Sequence, residues 1–474
     1  MRARSSVLLT ATVVVMAAAT PVTAGPATAT ASTHHDDFNG DGYRDLAVAD
    51  PSATVSGKSA AGAVVVFYGS ADGVSAGNRQ VITQASTGVP GAPESGDMFA
   101  DTLAAADLDG DGYADLLVGA EREDIGTEKD AGLVTVVWGG ASGLGSGVTL
   151  DPGDLPDTGC GFGLALAAGD GDGDGTADVT VGSYCGATHF RGPFTRAGDA
   201  ADRAQDGLLG TTRGVLFGNV DGDTALERIM VPGRYGDDPG GMVYVDDWTQ
   251  GQYVRTELTD ADGTTGATGD VDGDGYGDLV LGDTDTPTAE KPGGHVGGEV
   301  SVWYGGPAGI APGQRPTRIN QDTAGVPGTG EDGDEFGSAL SAGDVDGDGR
   351  ADIAVGVPGE ALSGRDLAGA VTVLFGSANG LTGSGARSYH QDSEGVSGAA
   401  ENADAWGTAV HLTDHGRDGR ADLTVGVPGE NGWGCTWNAR GTAAGVTVTG
   451  AFHVCADKLN LTGGHRGLGS TIAD

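Results

Sequence analysis

Apolar residues recur two apart in short runs along this chain, which is the pattern of β-strands with a buried face. Turn residues rich in glycine separate the runs. One unit shows four runs, at residues 336–342, 353–357, 369–376 and 386–391. Runs that match the third of these stand at residues 62–68, 132–138 and 298–304. The repetition predicts units of four strands each.

A polar stretch of nine residues separates the first run from the second, and we call it the aspartate loop. Its most regular copy, residues 344–352, has aspartates at positions 1, 3, 5 and 9. Gly349 at position 6 permits a sharp backbone turn. Copies begin at residues 37, 107, 170, 219, 270, 344 and 414. Seven units of four strands predict an all-β fold, a seven-bladed β-propeller over residues 32–474.

Hard oxygen donors on one tight loop suit Ca²⁺, which takes six to eight oxygen ligands in flexible geometry. Five loops carry a donor side chain at positions 1, 3, 5 and 9, and we predict that they bind calcium. The predicted sites also include the residue at position 7. These metal residues are Asp37, Asn39, Asp41, Tyr43 and Asp45; Asp107, Asp109, Asp111, Tyr113 and Asp115; Asp170, Asp172, Asp174, Thr176 and Asp178; Asp270, Asp272, Asp274, Tyr276 and Asp278; and Asp344, Asp346, Asp348, Arg350 and Asp352.

Two copies of the loop are incomplete. The fourth, residues 219–227, begins with Asn219 and has Thr224 where the turn glycine is expected. The seventh, residues 414–422, has Gly416 at position 3 and so lacks the second donor. We expect these two loops to bind calcium weakly or not at all.

An EF-hand is the obvious alternative for such a loop, and it requires a bidentate Glu at position 12. In the sixth copy that position is Val355, and position 10 is Ile353. Apolar residues two apart predict a β-strand that leaves the loop. The aspartate loop is therefore expected to join two strands of a hairpin.

The first 31 residues have the pattern of a secretory signal peptide. A short basic region precedes an apolar run from Val7 to Ala19, and small residues follow with cleavage expected near residues 24–31. The chain shows no later run long enough to span a bilayer. We predict a secreted, extracellular protein.

The charge of the chain argues against polyanionic partners. Formal net charge is −42 at pH 7, which repels nucleic acid and anionic membranes. We therefore expect no nucleic-acid partner. We also expect no membrane span, and we expect a monomer.

Four cysteines are present and allow three pairings. An oxidising compartment favours disulfides over buried free thiols. Cys160 and Cys185 flank one aspartate loop, and Cys435 and Cys455 lie close together near the C-terminus. We favour these two local pairs.

The repeated unit resembles the FG-GAP repeat of integrin α-subunit propellers. Phe336-Gly337, the aspartate loop and Gly369-Ala370 follow one another in the order of that repeat. Partial matches stand at Phe162-Gly163, Trp406-Gly407 and Gly62-Ala63. The resemblance extends over about residues 36–474, and secreted bacterial proteins with such repeats are similar.

The resemblance implies that the calcium loops lie on one face of the propeller and that ligands bind the loops of the opposite face. It therefore implies a ligand-binding or cell-adhesion module with an extracellular protein or glycan as partner. We recognise no leg domains, membrane span or cytoplasmic tail of the integrin kind in the sequence, so we do not expect integrin signalling to carry over.

Catalytic signatures are sparse in the sequence. It contains no G-x-S-x-G elbow and no H-E-x-x-H motif. Most aspartates are accounted for by the loops, so we predict a protein that is not an enzyme. The alternative is an extracellular hydrolase or lyase that acts on polysaccharide or lipid with the propeller face.

The C-terminus carries an expectation about how the ring closes. The first aspartate loop begins at Asp37, so its unit has no incoming strand of its own. Leu468 and Ile472 are four residues apart, as are Phe336 and Leu340 ahead of the sixth loop. We expect residues 467–474 to be the first strand of blade one, paired with residues 45–49.

Overall fold

In the computed structural model, the described residues are 35–153, 157–206, 210–232, 242–288, 293–461 and 467–473. They form seven antiparallel sheets in which strands adjacent in sequence are adjacent in space. Six sheets have four strands and the first has three. The predicted seven-bladed, all-β propeller is confirmed. The predicted signal peptide, residues 1–31, lies outside the described part of the chain.

Each blade is one sheet. Blades one to three contain β1 (Leu46–Asp50), β2 (Ala63–Phe67) and β3 (Arg79–Ile82); β4 (Thr102–Ala106), β5 (Asp115–Ala120), β6 (Leu133–Val137) and β7 (Gly147–Thr149); and β8 (Ala165–Gly169), β9 (Asp178–Ser183), β10 (Gly186–Arg191) and β11 (Asp202–Asp206). Blades four and five contain β12 (Gly214–Gly218), β13 (Glu227–Val231), β14 (Val243–Thr249) and β15 (Gln252–Leu258); and β16 (Thr265–Gly269), β17 (Asp278–Asp283), β18 (Glu299–Trp303) and β19 (Thr317–Ile319). Blades six and seven contain β20 (Leu340–Gly343), β21 (Asp352–Val357), β22 (Ala370–Leu374) and β23 (Arg387–Tyr389); and β24 (Val410–Thr413), β25 (Asp422–Val427), β26 (Cys435–Arg440) and β27 (Thr447–Cys455).

Helical structure is limited to two 3₁₀ turns, Glu430–Gly432 and Ala456–Leu459, in the part of the chain that is described. Across those same residues, no helix has the length and apolar character needed to cross a bilayer.

The middle strands of a blade are buried on both faces because each sheet is covered by a neighbour on either side. In blade six, every residue of β21 and β22 is buried. Ile353 and Val355, the apolar pair after the loop, are 0% exposed. The predicted hairpin is present, since β20 and β21 pair antiparallel on either side of the loop.

Strand boundaries agree with the sequence pattern except at the first run. The run predicted at 336–342 forms a strand only from Leu340, because Phe336 and Gly337 belong to the joint with the preceding blade. The sequence pattern assigns no strand between Cys185 and Gly214, whereas the structure has β10 and β11 there.

An aromatic residue and a glycine from neighbouring blades meet at the regular joints. Phe99 of blade two is 0% exposed and lies against Gly62 of blade one. A Cβ atom on Gly62 would lie 2.0 Å from the Phe99 carbonyl oxygen, so only glycine fits. Trp406 lies against Gly369 in the same way, at 2.3 Å. The two halves of the repeat motif therefore act across the boundary between blades.

The joint between blades three and four uses charged and aromatic side chains. Arg228 Nη2 lies 2.7 Å from Asp246 Oδ2, and both side chains are buried. Arg255 donates to Asp246 and also to Asp206 of blade three, at 2.6 Å. The Arg228 guanidinium lies 3.9 Å from the ring centre of Tyr253.

Both disulfides follow the local pairing favoured from sequence. Cys160 is bonded to Cys185, and Cys435 to Cys455. The second bond joins directly opposed residues of β26 and β27. No cysteine is free.

The C-terminal residues contact blade one through backbone hydrogen bonds. Ala49 N–H donates to Thr471 O at 2.8 Å, and Ala473 N–H donates to Ala47 O at 3.0 Å. A single antiparallel bridge joins Val48 and Ile472. The segment is not a regular strand, so its role in closing the ring stays a prediction.

Leu468 occupies the joint between blades seven and one. It is 0% exposed, and a Cβ atom on Gly434 of blade seven would lie 2.3 Å from Leu468 N. This is the contact that Trp406 makes with Gly369 one joint earlier. Leu468 thus takes the place of the aromatic residue at a regular joint.

We predict that removal of residues 467–474 destabilises the fold and promotes aggregation, because it exposes the edge of β1. Leu468→Ala should lower the free energy of unfolding by about 2–5 kcal/mol, the usual cost of truncating a buried leucine. Ser470→Ala is the control, since its Oγ makes no hydrogen bond. Melting temperature and light scattering measure both effects, and a truncated chain that melts and scatters like the full one would refute the closure.

Candidate metal centres

The carboxylate at position 1 holds the turn of each regular loop. In the sixth loop, Asp344 Oδ1 accepts from Gly347 N–H at 2.7 Å and Asp348 N–H at 3.1 Å, and Oδ2 accepts from Gly349 N–H at 2.8 Å. Gly347 and Gly349 have φ of +77° and +87°, which favours glycine at both positions. The turn therefore gathers the side chains of one short segment.

The carboxylate at position 9 ties the loop to the third strand. Asp352 Oδ2 accepts from Val345 N–H at 3.0 Å, and Oδ1 accepts from Gly376 N–H at 2.9 Å. The side chain is 1% exposed. Equivalent pairs of bonds are made by Asp45, Asp115, Asp178 and Asp278.

The glycine after the third strand was not recognised from sequence. A Cβ atom on Gly376 would lie 2.5 Å from Ala351 O, so a side chain would push the strand off the loop. Equivalent glycines, each with a backbone oxygen within 2.5 Å of the added Cβ, are Gly69, Gly139, Gly192, Gly305 and Gly441. A glycine at the end of each third run is the signal that could have revealed them.

Burial raises the pKa of the position 9 carboxyl group, and backbone hydrogen bonds offset this only in part. The pKa is about 8 for Asp45, about 7 for Asp115, Asp178 and Asp352, and about 6 for Asp278. Other aspartates of the same loop raise it further by charge repulsion. Ionised loops are thus electrostatically unfavourable without a positive charge.

The loops bring many of the predicted donors together. Each of three groups offers carboxylate oxygens within 4.8 Å of one another. They are Asp107, Asp109 and Asp115; Asp170, Asp172 and Asp174; and Asp270, Asp272 and Asp278. Oxygen donors of this kind fit a hard cation such as Ca²⁺.

Three of the side chains at position 7 contact the preceding loop. A Cβ atom on Gly40 of loop one would lie 2.5 Å from the Tyr113 ring of loop two, and Tyr276 approaches Gly222 of loop four similarly. Arg350 lies beside Gly273 of loop five. These side chains therefore help to join neighbouring loops.

Backbone hydrogen bonds also join the loops. At five neighbouring pairs, the N–H at position 8 of one loop donates to the carbonyl at position 1 of the preceding loop. These bonds are Ala114 to Asp37, Leu226 to Asp170, Gly277 to Asn219, Ala351 to Asp270, and Ala421 to Asp344, at 2.7–2.9 Å. The aspartate loops therefore lie side by side at one end of the ring.

The two remaining boundaries between blades use different contacts. Between loops seven and one, His415 Nδ1 lies 3.0 Å from Arg44 O. Between blades two and three, the connection from β10 to β11 contacts loop two: Phe194 N–H donates to Leu108 O at 2.9 Å, and the Arg196 guanidinium forms an ion pair with Asp109 and Asp111. A positive charge of the chain itself thus contacts two predicted donors of loop two.

The incomplete seventh loop keeps the regular turn. Asp414 accepts from Asp418 N–H at 3.1 Å and from Gly419 N–H at 2.8 Å. Gly416 supplies no side-chain oxygen at position 3. The turn therefore forms in this loop without the second donor.

We predict that Gly305→Ala lowers the free energy of unfolding by about 1–3 kcal/mol, the usual cost of overpacking. Its Cβ would lie 2.1 Å from Gly277 O, which is fixed backbone. Gly306→Ala is the matched control, since no atom lies within 4 Å of the added Cβ, and it should change stability by less than about 0.5 kcal/mol. Equal denaturant midpoints for the two variants would contradict this account of the joint.

Comparison with known proteins agrees with this geometry. Three stretches, residues 29–67, 99–137 and 336–374, match the FG-GAP repeat family. The chain is also similar to phosphatidylinositol-glycan-specific phospholipase D of Bos taurus, with 34% identity over 193 residues, 40% of this chain and 21% of that enzyme. The enzymes of Rattus norvegicus (34%; 35% of this chain, 18% of the enzyme) and Mus musculus (31%; 34% and 17%) are similar too.

The chain thus spans about a fifth of the length of these relatives. The matched FG-GAP stretches fall in blades one, two and six. Phe99 and Phe336, at the starts of two of these stretches, each lie against a glycine of the preceding blade. The chain therefore contains three FG-GAP repeats within a seven-bladed β-propeller, the fold that the resemblance to integrin α-subunit propellers implies.

Proposed function

We propose that this protein is an extracellular, calcium-stabilised propeller that binds a protein or glycan ligand without catalysis. The observation that carries the calcium part is the buried position 9 carboxylate, which is grouped with further carboxylates of its loop at Asp115 and Asp278. Removing such charges from water is costly unless a cation compensates them. Five loops offer the donor set that calcium prefers.

Calcium in this proposal is structural. In each regular loop it would be held by the side chains at positions 1, 3, 5 and 9, with the residue at position 7 nearby. The ion neutralises the repulsion between them and stabilises the loop that joins the first two strands. Because neighbouring loops are hydrogen-bonded, this fixes the blades relative to one another at that end of the ring.

The ligand is assigned to the opposite end, which is built from connections between second and third strands and between successive blades. Buried glutamines stiffen this end by bonding to a glutamate of the next blade. Gln84 Nε2 donates to Glu123 at 2.9 Å, and Gln321 Nε2 donates to Glu360 at 2.7 Å. A rigid frame suits recognition because little conformational entropy is lost on binding.

Trp433 is the aromatic side chain that best fits a ligand contact at this end. It follows the 3₁₀ turn between β25 and β26 and is 37% exposed. Trp437, four residues later on β26, is 0% exposed and packs on Trp406 with ring centres 5.2 Å apart. We therefore assign Trp437 to the core and Trp433 to the ligand surface.

Two disulfides support an extracellular location, because such bonds persist in oxidising compartments. The formal net charge of −42 disfavours nucleic acid as a ligand. Secretion and a monomeric state belong to the same proposal.

Hydrolysis of a lipid or polysaccharide is the second candidate function. The similarity to three phospholipases specific for phosphatidylinositol-glycan favours this function. Only about a fifth of each enzyme is matched, so the match supports a shared module more directly than a shared activity.

One experiment separates the two candidates. The full chain is incubated in calcium buffer with a glycan array and with vesicles that contain phosphatidylinositol-glycan, and both retention and product release are measured. We expect retention without product, and loss of retention in Trp433→Ala. Val254→Ala, at an exposed position on β15, is the control. Product release would establish the hydrolase, and equal retention of both variants would remove Trp433 from the ligand surface.

We predict that chelation lowers the melting temperature. Binding to the folded state alone adds about 2.7 kcal/mol per site at a calcium concentration one hundred times Kd. Asp346→Ala should remove part of the calcium-dependent shift, because it deletes one donor of one loop. Glu257→Ala, an exposed acid on β15, should leave the shift unchanged. Identical melting curves with and without chelator would refute calcium binding.

We predict that rising pH lowers the melting temperature in chelator and enlarges the increase that calcium produces. The position 9 pKa values are raised from 3.8 to about 6–8, so their contribution to stability is complete below about pH 4 and is lost as pH rises through 6–8. In chelator the melting temperature should fall between pH 5 and pH 8. The increase produced by calcium should grow over the same range, because calcium binds the ionised carboxylates. A calcium effect that is larger at pH 5 would contradict this.

A further inference from the structure

The fourth aspartate loop differs from the others at both of its anchoring positions. Position 1 is Asn219, whose Oδ1 accepts from Gly222 N–H at 2.6 Å. Position 9 is Glu227, one methylene longer than the aspartate found elsewhere. From sequence alone this loop is expected to bind calcium weakly or not at all.

The third strand of blade four contributes an acid at a place where other blades have none. β13 and β14 pair with Arg228 opposite Asp246, so the next residue, Asp247, stands opposite Glu227. The registers of the other blades place an aromatic residue or an arginine opposite position 9. These residues are Tyr68, Trp138, Arg191, Tyr304, Phe375 and Arg440.

Blade three shows which loop residue the side chain opposite position 9 can contact. There Arg191 Nε lies 3.6 Å from Asp172 Oδ2, the donor at position 3 of loop three. The side chain opposite position 9 therefore reaches into the aspartate loop. In blade four, Asp247 stands at the corresponding place. The carboxylate oxygens of Asp221, Glu227 and Asp247 lie within 4.8 Å of one another.

A second observation concerns one oxygen of Glu227. The side chain is 2% exposed, and Oε2 accepts from Val220 N–H at 2.6 Å. Oε1 is buried and has no hydrogen-bond partner. In the regular loops this second oxygen accepts from the glycine after the third strand, but the register places Trp248 there in blade four. An unpartnered buried carboxylate oxygen is costly, and a cation would compensate it.

We propose that Asp221, Glu227 and Asp247 form a sixth divalent-cation site, with Ca²⁺ as the ion. Asp247 supplies the carboxylate that position 1 lacks, and it comes from the third strand instead of the loop. Glu227 binds the ion through the oxygen that has no backbone donor. The donor set is again made of hard oxygens, and water completes the coordination. This proposal uses the calcium chemistry of the proposed function but none of its five loops.

Equilibrium dialysis with Ca²⁺ on the full chain tests this site. Wild-type protein should bind one more ion than Asp247→Asn, and Glu257→Gln on the neighbouring strand β15 should bind as many as wild type. Asp221→Asn should lose the same ion, which gives a second variant if Asp247→Asn folds poorly. Melting in chelator, compared between variants, shows whether each variant is folded.

Terbium luminescence gives a local readout of the same site. Tb³⁺ replaces Ca²⁺, and Trp248 next to Asp247 should transfer excitation to it. Trp248→Phe and Asp247→Asn should each remove the same part of the tryptophan-sensitised signal, while Glu257→Gln should remove none. Unchanged ion counts and luminescence in Asp247→Asn overturn the site and leave the five regular loops intact. Absence of calcium binding in the wild type overturns the proposed function as well.

Discussion

The architecture depends on a carboxylate that accepts two backbone hydrogen bonds in each of the five blades with a regular loop. In blade six, Asp352 bonds to Val345 within its own loop and to Gly376 at the end of the third strand. This buried group fixes the turn, the hairpin and the third strand with a single side chain. This arrangement is unfavourable in one respect, because it holds a charge away from water and among other aspartates. The proposed calcium ion would compensate that charge.

The local part of this arrangement could be predicted from sequence. The aspartate loop and the apolar pair after it occupy twelve consecutive residues, so a repeated pattern reveals both. The glycine partner could not be aligned in that way, because it lies 14 residues after Asp178 but 27 residues after Asp278. Asp247 was missed for a similar reason, since only strand register places it opposite Glu227.

The first strand of the sixth unit was predicted too long for a related reason. Phe336 and Gly337 continue the apolar run, yet they serve the joint with blade five, where a Cβ on Gly298 would lie 2.4 Å from Phe336 O. A sequence repeat is recognised by a spacing that recurs along the chain. Such a repeat need not coincide with one blade, and here one repeat contains parts of two blades. The same offset explains why Leu468, far from blade one in sequence, lies at its joint.

The hydrogen bonds between aspartate loops have a consequence for communication around the ring. The repeated position 8 bond links loop one to loop two and links loops three to seven in series. His415 contacts loop one from loop seven, and Arg196 contacts loop two from the connection between β10 and β11. The seven loops therefore form two arcs, of two and five members. In the proposed calcium-bound state, occupancy of one loop would order the carbonyl that its neighbour uses, so coupling between sites would be stronger within an arc than between arcs. Loop four stands second in the longer arc, where an ion would couple loop three to loops five, six and seven.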